Sequence, residues 1–461
     1  MSAARRLVAP ILLAAAAGCA LQSPPAPEVT RKQALPNLAV PPVWSAEAAA
    51  GAPAGGWLAS FNDPQLEAMV REALANNPDL GVAAARVEQA AGLVKASGAT
   101  LYPQVSLMAR GGGKMSGDSS GLEGAGVFAT WEIDLWGRVR AERATARQQY
   151  DATALDTEYA RQSIAALVAK SWFLATEARL QRALADEMVT SSVRLASLAS
   201  DRLRVGSGSE YDLALARANV QTFQDAMHQL DQAYRQALRS LETLAGRYPA
   251  AALQVPGKLA ERPAPVPAGI PSELLERRPD VVAAERRVAA AFYRVETAKA
   301  ARLPAISLTA SVSTISSELF VLKDLENPIW SVGARLMQPL FLGGALQSQV
   351  EVRTAEQKVA VAEYGRIGAR AFSEVENALS SEFTLATRVA VLRQAVIENE
   401  RALELANVRY RVGSTDLRAV QQQQLAVFSA RTTLLRVQAE QLVQRVNLYL
   451  ALGGGWDPEA K

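Results

Sequence analysis

Two very long stretches of this chain, Arg138 to Val205 and Ala345 to Val412, contain no proline and little glycine. Each predicts a helix about 100 Å long at a rise of ~1.5 Å per residue. Both end in nearly the same turn, "RVGSGSEYDL" from Arg204 to Leu213 and "RVGSTDL" from Arg411 to Leu417. Gly206 and Gly413 suit the left-handed residue that closes a helix. Ser209, with Asp212 three residues on, reads as an N-cap with an acidic partner, and Ser414 or Thr415 serves the second copy. The returning helices run from about Tyr211 to Gly246 and from about Asp416 to Leu452. Helices this long, alanine-rich and with scattered apolar residues, need neighbours along their whole length, as in coiled coils.

The duplication extends beyond the turns. "NPDLGVAAARVEQA" from Asn77 matches "RPDVVAAERRVAAA" from Arg278, and "LYPQVSLMA" from Leu101 matches "LPAISLTAS" from Leu303. "EYARQSIAALV" from Glu158 matches "EYGRIGARAFS" from Glu363. A repeat of about two hundred residues exceeds any solenoid period and implies duplication of a whole unit. The expected organisation is a leader at 1–18, a tether and connecting segment at 19–60, a first repeat at 61–246, a connection at 247–272, a second repeat at 273–452 and a tail at 453–461. Each repeat opens with a helix carrying proline in its first turn (Pro78 to Ala99, Pro279 to Arg302).

Between that helix and the long one, each repeat has a pair of alternating segments, about 102–133 and about 304–340. In "AISLTASVS", Ile306, Leu308, Ala310 and Val312 share one face, opposite Ser307, Thr309, Ser311 and Ser313. Val332, Ala334 and Leu336 oppose Gly333, Arg335 and Met337. Val127, Ala129, Trp131 and Ile133 oppose Phe128, Thr130, Glu132 and Asp134, and Val105, Leu107 and Ala109 oppose Ser106, Met108 and Arg110. Strands of about ten residues, apolar on one side and polar on the other, fit an outer-membrane barrel, with Tyr102, Trp136, Trp330 and Phe341 as interface anchors. Four strands cannot close one, since the smallest known have about eight and an open edge in lipid is prohibitive. The chain must therefore associate with itself. Two copies give a barrel filled by side chains and three a water-filled channel, and the sequence does not choose between them.

The N-terminus, "MSAARRLVAPILLAAAAGCA", has Arg5 and Arg6, an apolar run and small residues before Cys19, the only cysteine. This is the pattern of a secretory signal whose apolar run is too short to span a bilayer. Ala17-Gly18-Cys19 resembles a bacterial lipobox, with Ala16 departing from the usual leucine, so Cys19 is the expected lipidation site. With one Cys and one His, a Cys/His metal cluster or a disulfide framework within one chain is excluded. A net charge of +3 and arginines spread along helices give no footprint for nucleic acid. His228 stands on a helix without catalytic company, and Gly111 to Gly113, with Gly117, Asp118 and Ser119, read as a hairpin turn rather than a phosphate loop. No catalytic residue, cofactor or metal is expected.

"FNDPQLEAMVREALANNPDL" (Phe61 to Leu80), "WEIDLWGRVR" (Trp131 to Arg140), "ERRPDVVAAERRV" (Glu276 to Val288), "QPLFLGGA" (Gln338 to Ala345) and "NLYLALGGGW" (Asn447 to Trp456), with both "RVGS" turns, resemble the TolC-like outer membrane factor family. Within it, the chain is similar to the lipoprotein (NodT-type) branch serving RND efflux pumps. The resemblance covers essentially the whole mature chain. It implies a mixed α/β membrane protein: a homotrimer with a twelve-stranded transmembrane β-barrel, four strands per protomer, continued by a long α-helical periplasmic barrel. It further implies lipid anchoring in the outer membrane, an equatorial belt from the irregular segments, and a passive efflux duct. A periplasmic adaptor and an inner-membrane RND-type pump would recruit that duct. A TolC-like channel for type I protein secretion is the alternative, disfavoured by the lipobox and the "YLALGGGW" tail.

By the same resemblance, the adaptor-contacting, opening tips are Arg204, Val205, Gly206, Ser207, Ser209, Glu210 and Asp212 in one turn. In the other they are Arg411, Val412, Gly413, Ser414, Thr415 and Asp416. Glu210, Asp212 and Asp416 put carboxylates near the aperture. Where related channels suggest an acid further along the second returning helix, this chain has Gln421, Gln422, Gln423 and Gln424, which makes Gln421 and Gln422 the aperture candidates. Cys19→Ser is expected to abolish incorporation of radiolabelled palmitate; a variant that still takes the label contradicts the lipobox reading.

Overall fold

The computed structural model describes residues 22–46, 51, 55–110, 123–316 and 329–455. Cys19 and its leader, the turn at 111–119 and Trp456 lie outside the described residues. Eight helices of eight residues or more are described: α1 (Pro27–Ala34), α2 (Pro64–Asn76), α3 (Pro78–Ala99), α4 (Arg138–Arg204), α5 (Glu210–Leu244), α6 (Pro279–Ala300), α7 (Ala345–Arg411) and α8 (Leu417–Ala451). Four strands accompany them: β1 (Gln104–Arg110), β2 (Glu123–Ile133), β3 (Ala305–Ser316) and β4 (Ile329–Met337).

Repeat partners have equal lengths: 22 residues for α3 and α6, 67 for α4 and α7, and 35 for α5 and α8. From Arg138 against Ala345 to Leu244 against Ala451, the second copy follows the first at a constant offset of 207. That offset corrects one sequence match. Glu158 and Glu363 stand 205 apart, and a two-residue slip inside a continuous helix would need a bulge, so the structural equivalent of Glu158 is Gly365.

The chain forms two compact units. One gathers Ala84–Asp156 and Asp280–Gly368 with the N-terminal stretch to Leu38. It holds the sheet, an antiparallel meander in the order β1-β2-β3-β4. The hairpins from the two repeats join through β2 and β3, where Val127 faces Val312 and Trp131 faces Leu308. Cross-strand partners share a face, so the register gathers Val105, Leu107, Val127, Ala129, Trp131, Ile133, Ile306, Leu308, Ala310, Val312, Trp330, Val332, Ala334 and Leu336 into one apolar surface. Ser106, Phe128, Thr130, Glu132, Ser307, Thr309, Ser311, Ser331, Gly333 and Arg335 line the other. Within the protomer the apolar side is bare: Leu107 is 75 % and Val332 88 % exposed.

Two details at the sheet differ from expectation. Asp134 is not a strand residue; its carboxylate accepts from the backbone N–H of Val139 (3.0 Å) and Arg140 (2.9 Å) and caps α4. Trp136 is half-buried and donates through Nε1 to the Pro304 carbonyl (2.8 Å), tying one hairpin to the other. Tyr102, Trp330 and Phe341 are exposed as anchors would be.

The second unit gathers Ala39–Ala83, Thr157–Pro279 and the chain from Ala369 onward. Its long helices are laced by irregular segments. Trp44 donates to the Ala268 carbonyl, the Glu376 carboxylate accepts from the N–H of Ser45 and Ala46, and Trp57 stacks on Tyr449 with centroids 5.5 Å apart. Two fully buried arginines are paired, as buried charges must be. Arg445 binds Glu382 and the carbonyl of Pro263, and Arg278 binds Glu374 (2.6 Å) and the Ala451 carbonyl at the end of α8. Among the described residues, no helix is long and apolar enough to cross a membrane.

Because the apolar face is continuous, a charge on it is far more damaging than one across the sheet. Val332→Arg should lower the unfolding free energy in lipid vesicles by about 2–4 kcal/mol. Ser331→Arg, one residue away on the polar face, should cost about 0.5 kcal/mol or less. Equal effects in urea unfolding would contradict the assignment of faces.

Candidate functional site

The two turns are built from the same hydrogen bonds. In the first, the N–H of Gly206 donates to Leu203 O (3.1 Å) and that of Ser207 to Arg202 O (2.9 Å). In the second, Gly413 donates to Tyr410 O (3.1 Å) and Ser414 to Arg409 O (2.9 Å). Both pairs are the Schellman pattern, which satisfies the last carbonyls of a helix and requires a left-handed residue at its centre. Gly206 and Gly413 supply it, with φ of 76° and 77°. The hydroxyls of Ser207 and Ser414 donate to the same two carbonyls, at 3.3 and 3.2 Å.

Past the glycines the copies diverge. Ser209 caps α5 as expected, accepting from the N–H of Asp212 (3.1 Å). Neither Ser414 nor Thr415 caps α8. Asp416 does so, accepting from Ala419 N–H (2.9 Å), because Ser414 is spent on closing α7 and the helix begins at Leu417. Gly208 stands where the second copy has Thr415, and a Cβ there would lie 2.8 Å from the Leu203 nitrogen.

Under the turns, α4, α5, α7 and α8 share a core of Leu195, Ala199, Ala216, Tyr410, Leu417 and Val420, with Ala196, Leu213, Leu403 and Ala406 packed against it. Ala196 and Leu403, Ala199 and Ala406, and Leu213 and Val420 are repeat equivalents at the offset of 207. Equivalents gathered into one core are what a local two-fold relation between the hairpins produces. Arg418 and Tyr211 are another such pair: Arg418 Nη2 donates to the Tyr211 hydroxyl (3.0 Å), and this bond raises the Arg418 pKa.

The symmetry is broken beside them. Arg202 crosses from α4 to donate to the Tyr410 carbonyl (2.7 Å) and lies over the Tyr410 ring, 4.7 Å from its centroid, so one helix's last turn caps the other's. Burial raises the Tyr410 hydroxyl pKa, and nearby Arg202 opposes that shift only in part. Further along, Arg431 of α8 binds Glu187 of α4 and Glu400 of α7.

Of the tip candidates, Arg204, Val205, Gly206, Ser207, Ser209 and Glu210 are exposed in the first turn and Asp212 is half-buried. Arg411, Val412, Gly413, Ser414 and Asp416 are exposed in the second, and Thr415 is half-buried. Val205 and Val412, repeat equivalents, are 73 % and 74 % exposed. Of the aperture candidates, Gln422 is exposed and Gln421 is buried. Sequence reading passed over Gly208, Arg202, Tyr410, Tyr211 and Arg418. The constant offset of 207 was the signal for the Tyr211–Arg418 pair; nothing local announces Arg202 as a cap for another helix.

This geometry can be set beside known proteins. The chain matches the family described as outer membrane efflux protein over residues 69–247 and 270–454. It is 30 % identical over 446 residues to the pyoverdine export outer membrane protein OpmQ of Pseudomonas aeruginosa, covering 92 % of this chain and 93 % of that one. It is 29 % identical over 418 residues to the cation efflux system protein CusC of Escherichia coli, covering 87 % and 88 %. The open-state crystal structure of the Neisseria gonorrhoeae MtrE outer membrane channel superposes with a TM-score of 0.78 at 26 % identity, covering 92 % of this chain and 97 % of that one. With its duplicated hairpins, its two-faced sheet and these matches along nearly its whole length, the chain belongs to the outer membrane efflux protein family.

Proposed function

We propose that this protein is the outer-membrane channel of a tripartite efflux system, a passive duct that three copies form together. The observation that carries the reading is the four-stranded sheet with a continuous apolar face and an unpaired edge on both β1 and β4. In lipid every edge N–H and C=O must find a partner. Pairing β4 of one copy with β1 of the next supplies those partners, and three copies give twelve strands around a water-filled lumen. The polar face, with Ser307, Thr309, Ser311 and Arg335, then lines the lumen.

Cys19, lipidated after removal of residues 1–18, anchors each copy to the outer membrane. The irregular segments 19–60 and 247–272 and the tail at 453–461 form a belt around repeats 61–246 and 273–452. The turns centred on Gly206 and Gly413 meet a periplasmic adaptor, with Val205 and Val412 as apolar contact points and Glu210, Asp212 and Asp416 as carboxylates at the aperture. Gln422, exposed in the protomer, is the better aperture candidate of the two glutamines. Caps and short turns suit a moving tip, because they shift without loosening the packed walls.

No catalytic step belongs to this role. One relative is named for pyoverdine export and another for cation efflux, so cargo differs between channels of this fold. The inner-membrane pump, of the RND type, then sets the cargo here. A deletion strain challenged with drugs, dyes and metal ions reads out the class; sensitivity to none of them, with loss of a secreted protein instead, would favour type I secretion. Replacing Gly206 or Gly413 with Val places a β-branched residue at a left-handed φ, a strain of about 1–3 kcal/mol. Both variants should assemble in the outer membrane yet fail to restore resistance, and full resistance would count against the tip role.

A further inference from the structure

The buried stripe of α8 behind the tip reads Leu417, Val420, Gln421, Gln424 and Val427, so two glutamines interrupt an apolar seam. Gln424 is satisfied. It accepts from Asn219 Nδ2 of α5 (3.5 Å) and donates to Ser191 Oγ of α4 (3.1 Å). Gln421 is not: only 6 % exposed, it holds an Nε2 with no hydrogen-bond partner. The duplication did not require this layer. The equivalents on α5, Ala214 and Arg217, are exposed, and α8 buries 14 residues where α5 buries 6.

A polar residue in a helical seam commonly fixes register, and Gln424 suits that role because its partners lie on two other helices. Gln421 does not, since a donor without an acceptor selects nothing and only weakens the packed arrangement. Any movement of α8 that admits water or brings an acceptor relieves it. Below this layer the tip core is apolar and self-contained; beyond it Arg431 ties α8 to α4 and α7.

We infer that Gln421 is a built-in destabiliser of the packed tip, marking the level at which α8 turns when the aperture opens. This deepens the channel reading and rests on it. The experiment compares Gln421→Leu, Gln421→Glu and the exposed control Ser429→Leu, using hydrogen exchange of the Leu417–Leu425 amides in the purified full-length protein and its conductance in planar bilayers. Gln421→Leu should raise amide protection and lower open probability, each about tenfold, the scale of one unsatisfied buried donor. Gln421→Glu should shift both the other way, and Ser429→Leu should leave both unchanged. Unchanged or reduced protection in Gln421→Leu overturns the inference, as does raised protection with unaltered conductance. A wild-type protein that never conducts would instead sink the channel reading beneath it.

Discussion

A strand edge in lipid has no water to satisfy it, and the rest of this structure follows from that constraint. The protomer makes a four-stranded antiparallel meander and stops, leaving both outer strands half-paired. In water such an edge invites aggregation; in a bilayer each unpaired group is worth several kcal/mol against insertion. The apolar face has the same incompleteness, since Leu107, Val332 and Leu336 are largely exposed in the protomer. One protomer is thus a fragment of a barrel wall, and the oligomer is its smallest complete form.

Duplication explains how one chain builds its part of that wall. Each repeat contributes one strand hairpin and one helical hairpin, and the helical hairpins are identical in length to the residue. At their turns the duplication is visible as a local two-fold relation, with the same Schellman bonds in both copies, equivalents sharing one core, and Tyr211 hydrogen-bonded to its equivalent Arg418. Function would enter where the copies stopped being equal. Arg202 reaches across to Tyr410, Asp416 replaces serine as a cap, and α8 alone carries buried glutamines at this level. A perfectly symmetric tip would give both hairpins the same freedom.

Much of this was legible in the sequence because it depends on local rules. Proline-free length forecasts α4 and α7, left-handed glycines forecast both turns, and period-two alternation forecasts the two faces of the sheet; the register that pairs Val127 with Val312 and Leu308 with Trp131 was not forecast. The misreadings share a cause, namely competition between nearby groups that spacing alone cannot rank. Ser414 and Asp416 are both good caps, and the neighbouring helix end claims the serine. Asp134 continues an alternating pattern but is worth more to the first N–H groups of α4. Trp136 looked like a lipid anchor until Pro304 gave its indole a partner. The Glu158 and Glu363 match was chemical similarity without positional equivalence, visible only once both helices had lengths. Long-range pairs such as Arg202–Tyr410 carry no local signature at all.

The central claim is that β1 and β4 complete each other between copies, and disulfide crosslinking tests it most directly. Cysteines would be placed in pairs, one at residues 105–108 of β1 and one at residues 330–334 of β4, with Cys19, the only native cysteine and the expected lipid anchor, left in place. The account predicts that some pairs oxidise in intact outer membranes to a covalent product of three chains, with no larger ladder. Pairs that leave only monomer, or that close within a single chain, would contradict it.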